Sequence, residues 1–181
     1  YVGRAEKRKG LAVLIRAFGV VNARVPDTRL IIVGPDSPQR ARYERAVAAR
    51  GLRGITFVQA PEGGISYDDL PRYHRSSHVF CSPALGHESQ GYVLLEAMAS
   101  GVPVVASNID GYASVITHGV DGLLVRPNDA MALADAITEL VRDPERRIRL
   151  VVEGRQRVEE YSWPRVAQQV ISYYERLLHQ Q

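Results

Sequence analysis

Residues 79–106 read Val-Phe-Cys-Ser-Pro-Ala-Leu-Gly-His-Glu-Ser-Gln-Gly-Tyr-Val-Leu-Leu-Glu-Ala-Met-Ala-Ser-Gly-Val-Pro-Val-Val-Ala, and they set the fold. A short apolar run, Val79–Ser82, gives way to a loop holding Pro83, Gly86 and Gly91. The segment 92–99 suits a helix and stops at Gly101, with Pro103 just beyond as a second stop signal. Another apolar run, Val102–Ala106, then begins. Strand, loop, helix and strand in this order predict parallel strands joined by a right-handed crossover.

The same alternation runs outward in both directions. Residues 28–33, Ile55–Val58 and Gly122–Val125 are further short apolar runs bounded by turn residues, the first ending at Gly34. Leu11, Leu14, Ile15, Phe18 and Val21 fall on one helix face. The stretch 129–142 follows Asn128-Asp129, good N-cap residues, and carries Leu133, Ala136, Ile137 and Leu140 at helical spacing. The expected fold is α/β, a Rossmann-like doubly wound parallel sheet covered on both faces. Ligands in such sheets bind beyond the carboxyl ends of the strands. That rule singles out loops 3–10, 34–38, 58–67 and 83–91. After Tyr161-Ser162-Trp163, Val166, Val170, Tyr173 and Leu177 predict a last amphipathic helix, with Pro164 near its start. Trp163, Tyr173 and Tyr174 are expected as packing residues. The organisation expected is a domain over 1–160 and a C-terminal helix over 161–181.

Composition excludes several classes. No apolar run nears the roughly 20 residues that span a bilayer as a helix. The start, Tyr1-Val2-Gly3-Arg4, does not have the pattern of a signal peptide and reads as the end of a strand, as in a piece of a longer chain. Cys81 is the only cysteine, which excludes an internal disulfide, and its apolar neighbours predict a buried thiol in a reducing, cytoplasmic setting. Net charge is +3, carried almost wholly by arginine, since Lys7 and Lys9 are the only lysines. The cluster Arg142–Arg157 lies in a helical stretch and reads as a solvated face, with peripheral contact to an anionic membrane as a lesser reading. Nucleic acid is not expected, because no aromatic residues interleave with the arginines.

Two constellations carry chemistry. Glu88 falls in the loop after a strand, and Glu96 about one and a half turns into the next helix. Gly91 between them lets backbone N–H groups at the helix start approach an oxygen-rich ligand. A carboxylate before that helix suits sugar hydroxyls, and one deeper in it suits a vicinal diol such as ribose. Gly3-Arg4 and Lys9-Gly10 stand at the first strand end and first helix start. Their guanidinium and ammonium suit a diphosphate and could neutralise a departing nucleoside diphosphate without a metal. Each charge taken singly is equally an ordinary surface residue; the shared sheet edge joins them. A glycosidase using Glu88 and Glu96 leaves Arg4 and Lys9 without a role, and a non-catalytic α/β binding or interaction module is the other alternative.

The stretch Glu88-Ser-Gln-Gly-Tyr-Val-Leu-Leu-Glu96-Ala-Met-Ala-Ser-Gly-Val-Pro, with the Gly-Arg…Lys-Gly entry and Ile116-Thr-His-Gly-Val-Asp-Gly, resembles the E-x7-E signature of family 4 glycosyltransferases. These are retaining GT-B enzymes with a C-terminal donor domain, and among them the likeness is nearest the mannosyltransferases acting on phosphatidylinositol. The resemblance implies that Arg4 and Lys9 bind the donor diphosphate, Glu96 the ribose and Glu88 the transferred sugar. It places backbone of Ser89, Gln90, Gly91, Tyr92 and Val93 around sugar and phosphate, and Gly3, Gly34 and Val58 along the nucleotide. It further implies a nucleotide-sugar donor such as GDP-mannose or a UDP-sugar, no cofactor and no metal. The acceptor site would belong to an N-terminal domain, without which transfer is not expected. Gln90 stands where the family usually has Phe, and loop 58–67 is longer than usual.

Overall fold

The computed structural model describes residues 1–61, 65–66 and 68–179. Five strands and eight α-helices alternate among them: α1 Leu11–Arg24, β1 Leu30–Gly34, α2 Pro38–Ala49, β2 Ile55–Gln59, α3 Leu70–Arg75, β3 Phe80–Ser82, α4 Tyr92–Ala99, β4 Val104–Ser107, α5 Asp110–Ala113, β5 Leu123–Val125, α6 Ala130–Arg142, α7 Pro144–Glu159 and α8 Trp163–Leu178. Every ladder is parallel. β1 pairs with β2 from Leu30↔Ile55 to Gly34↔Gln59, and β4 lies between β3 and β5. Val2 adds a bridge to Val33, held by Gly3 N–H to the Val33 carbonyl at 2.9 Å and Val33 N–H to the Tyr1 carbonyl at 2.9 Å.

Strand side chains alternate between faces, and the two apolar clusters follow that alternation. Cys81 and Val105 join α1 and α6 in one cluster; Phe80, Val104 and Ala106 join α4 and Tyr112 in the other. Both faces are therefore covered, as parallel sheets require. α6 starts where its sequence indicates: the Asp129 carboxylate accepts from Met131 N–H at 3.1 Å and Ala132 N–H at 2.9 Å.

Several boundaries differ from expectation. The strand expected at 28–33 begins at Leu30, because Thr28 Oγ1 donates to the Val25 carbonyl at 3.0 Å and belongs to the preceding turn; it ends on Gly34 itself. β3 omits Val79, and β4 omits Val102, whose N–H closes the exit of α4 on the Ala97 carbonyl at 3.1 Å. The helical stretch over Arg142–Arg157 is broken at Asp143-Pro144, where Asp143 caps α7 by accepting from Arg146 N–H at 2.8 Å. Loop 58–67 shortens at its start, since β2 runs to Gln59, while Gly63 and Gly64 lie outside the described residues.

α8 has no buried residue. Trp163 is 79% exposed, and Tyr173 and Tyr174 are also exposed, so within this chain they are not packing residues. Among the described residues no helix is long and apolar enough to cross a membrane. Cys81 is buried, and burial pushes its thiol up to about 11.

Candidate functional site

The site lies where the 3-10 turn Lys7–Lys9 meets the β3–α4 loop. Gly10 ends that turn at φ +72° and caps α1. A Cβ there would stand 1.7 Å from the Pro83 carbonyl oxygen, so only glycine lets the two segments meet so closely. The Arg8 carbonyl accepts the Leu85 N–H at 2.7 Å, a second tie between them.

Charges converge on this seam. The Lys9 ammonium straddles the Glu88 carboxylate, 2.8 Å from Oε1 and 2.9 Å from Oε2. Arg8 Nη1 donates to Glu88 Oε1 at 2.6 Å and to the His87 carbonyl at 3.2 Å. Glu6 links the arginines, with Arg4 Nε 2.9 Å from one oxygen and Arg8 Nε 2.8 Å from the other. Glu88's side chain is 11% exposed, whereas Arg4's is 64% exposed.

α4 starts beside this cluster. Gly91 takes the left-handed conformation, φ +62°, and its Cβ position lies 2.7 Å from the Tyr112 ring, which forbids a side chain. The N–H groups of Tyr92 and Val93 have no partner among the described residues and, with the helix dipole, present a positive end. Ser89 is exposed and Gln90 and Val93 are half-buried. From the other side, a Cβ on Gly111 would lie 2.0 Å from the Glu88 carbonyl oxygen, so α5 abuts the Glu88 backbone. Below, Tyr112 is fully buried and shares a 2.7 Å hydrogen bond with Ser82 Oγ; burial pushes its phenol up to about 12.

Gly3 and Gly34 pack backbone to backbone, with the Gly34 Cβ position 2.2 Å from the Gly3 carbonyl oxygen. Val58 sits in β2 opposite Val33, one register step before Gly34. Glu96 is separate. It opens on a cleft of about 360 Å³ between α3 and α4, lined also by His74, Arg75, Ser100 and Arg155. Burial raises its pKa, and it has no ion-pair partner among the described residues. His74 is 2% exposed with neither ring nitrogen partnered among the described residues, and its ring meets Phe80 edge-on at 4.9 Å. Thus Lys9 and Glu88 are brought into contact, Arg4 joins through Glu6 and Arg8, and Glu96 faces its own recess. Arg8, Glu6, Gly111, Tyr112 and His74 escape the sequence reading. Glu6 and Arg8 lie between Arg4 and Lys9 but read as ordinary surface charges, while Gly111, Tyr112 and His74 lie outside the two motifs in sequence.

The model of the family described as Glycosyl transferases group 1 matches residues 1–157. The chain belongs to that family. A phosphatidyl-myo-inositol mannosyltransferase of Mycobacterium leprae is 38% identical over 178 residues, covering 97% of this chain and 45% of that protein. An alpha-maltose-1-phosphate synthase of Mycolicibacterium smegmatis is 33% identical, covering 98% and 47%. The chain therefore spans about half the length of the curated relatives it matches. Among solved structures, a sucrose-phosphate synthase from Thermosynechococcus elongatus superposes with TM-score 0.80 at 33% identity, covering 99% of this chain and 45% of that one. Anabaena HepE, solved with UDP and glucose, reaches TM-score 0.83 at 22% identity over 96% of this chain and 47% of its own, a likeness of fold. The fold is that of about half of a GT-B glycosyltransferase chain.

Proposed function

We propose that this chain is the donor-binding domain of a retaining, metal-independent glycosyltransferase, which holds a nucleoside-diphosphate hexose for transfer by a longer protein. The carrying observation is the contact of Lys9 with Glu88 beside the open N-terminus of α4. One side of that contact suits diphosphate and the other suits sugar hydroxyls.

In this reading Arg4 and Lys9 take the diphosphate oxygens, joined by the backbone N–H groups of Tyr92 and Val93 and the adjoining backbone of Ser89, Gln90 and Gly91. Fixed positive charge there stabilises the departing nucleoside diphosphate as its bond to the anomeric carbon breaks. Glu88 accepts hydrogen bonds from sugar hydroxyls. Glu96 takes the ribose hydroxyls, and the backbone of Gly3, Gly34 and Val58 flanks the nucleotide. Charge neutralisation falls to the cations Arg4 and Lys9. An N-terminal domain supplies the acceptor, with α8 lying toward it, so the chain alone binds donor without transferring it. The setting proposed is cytoplasmic, with peripheral membrane contact in the longer protein. The proposed donor is GDP-mannose or a UDP-sugar, a hexose donor in keeping with the mannosyltransferase relative. A glycosidase reading loses ground, because Glu96 opens on a cleft that none of Glu88's partners lines.

Calorimetric titration with GDP-, UDP- and ADP-linked hexoses tests the proposal. Binding of at least one at millimolar or tighter affinity is expected, and silence across the panel would refute it.

A further inference from the structure

Arg8 is held at four points, three of them on one loop. Its Nε donates to Glu6 at 2.8 Å, its Nη1 to Glu88 at 2.6 Å and to the His87 carbonyl at 3.2 Å, and its own carbonyl accepts Leu85 N–H at 2.7 Å. The gripped segment, 85–88, ends on the carboxylate that faces the donor. It also contains a non-glycine residue in the left-handed region, His87 at φ +59°, a conformation that costs energy unless its surroundings hold it. The Arg8 bond to the His87 carbonyl supplies such a hold.

Lys9 has conflicting duties. It straddles Glu88, yet on the donor-binding reading, on which this inference rests, the same ammonium turns to the diphosphate. Without another cation, Glu88 at 11% exposure would lose its ion-pair partner as donor arrives, and a largely buried unpaired carboxylate is costly. We propose that Arg8 is the positioning residue that keeps Glu88 paired and aimed while Lys9 moves to the donor. It touches neither diphosphate nor sugar. Through the loop it sets how much affinity the sugar adds beyond that of the nucleoside diphosphate alone.

The test uses Arg8→Ala and Arg8→Lys, titrated with the tightest-binding nucleotide sugar of the panel and with its nucleoside diphosphate. Arg8→Ala is expected to weaken the bare diphosphate several-fold, because Lys9 then leaves Glu88 unpaired, and to weaken the nucleotide sugar about tenfold more than that; Arg8→Lys, which restores a cation to Glu88 without the fork to His87, recovers part of both losses. Equal losses for both ligands would show Arg8 to be a diphosphate ligand, and unchanged affinities would show it idle; either overturns the inference. Amide hydrogen exchange without ligand gives a readout independent of donor binding. Faster exchange across 85–93 in Arg8→Ala, with α6 unchanged, is expected. Unchanged exchange in that segment overturns the inference even where donor binds, whereas accelerated exchange with no ligand bound leaves Arg8's hold on the loop intact and refutes the donor reading alone.

Discussion

His74, buried at the wall of the Glu96 cleft, ties folding stability to pH, and the size of the effect follows from its burial. The ring has no hydrogen-bond partner among the described residues, and burial lowers its pKa to about 4. In the unfolded chain histidine titrates near 6.5. The folded state thus binds its proton less readily than the unfolded state. The associated stability is fully present above pH 6.5 and is lost as pH falls from 6.5 toward 4. Linkage puts the loss due to His74 at about 2 kcal/mol between pH 7 and pH 5, and at about 3 kcal/mol by pH 4. Replacement by Phe keeps a flat ring beside Phe80 and removes the titration; any packing offset at pH 7 cancels when each protein is compared with itself. Urea denaturation of wild type and His74→Phe at pH 7, 6 and 5 measures this directly. Wild type should lose about 2 kcal/mol more than the variant over that range. Equal losses would show that the ring is hydrated or partnered in solution, and the reasoning would fail.

Other perturbations give sharp expectations. Gly111→Ala drives a methyl group against the Glu88 carbonyl oxygen, 2.0 Å from the ideal Cβ. It should cost about 1–3 kcal/mol in thermal unfolding and reduce sugar-dependent donor affinity more than diphosphate affinity in titration. Burial raises the Glu96 pKa, so on acidification donor affinity should begin to fall at a higher pH than an ordinary carboxylate would give, while Glu96→Gln binds weakly with a flatter profile; parallel profiles would remove Glu96 from the ribose. Asp121 is 3% exposed, accepts from Thr117 N–H at 2.7 Å and Arg157 Nε at 2.9 Å, and ties α7 to the segment before β5. Asp121→Ala should cost about 2–3 kcal/mol, read as a melting point lower by roughly 4–12 °C in a chain of this size.

Parts of the fold were legible because of where they lie. β3 and β4 are buried at every position, so their apolar runs stand out from the surrounding polar sequence. α6 announces itself through its Asp129 cap and apolar face. α2 gave no comparable signal: only Arg40 and Val47 are buried along it, and the Arg40 guanidinium is spent on the Gly34 carbonyl at 3.1 Å and on Glu44 at 2.8 Å. The single helical stretch over 142–157 failed at a residue, Asp143, that serves as C-cap of one helix and N-cap of the next. At the site, Lys9 and Glu88 could be paired from their positions at one sheet edge. Arg8 could not be told from a solvated neighbour, since its role depends on partners about eighty residues away. Gly111 and Tyr112 act through shape, as a missing Cβ and a buried ring, and leave no charge pattern to read.

The central claim is that Lys9 and Glu96 hold two ends of one nucleotide-sugar donor without a metal. Titrating the tightest-binding panel member, in the presence of chelator, into wild type, Lys9→Ala and Glu96→Ala tests it most directly. The account predicts binding to wild type unaffected by chelator and a loss of at least about tenfold in each variant, the worth of one charge-assisted hydrogen bond. Wild-type affinity in both variants would contradict it and leave the motif as scaffold.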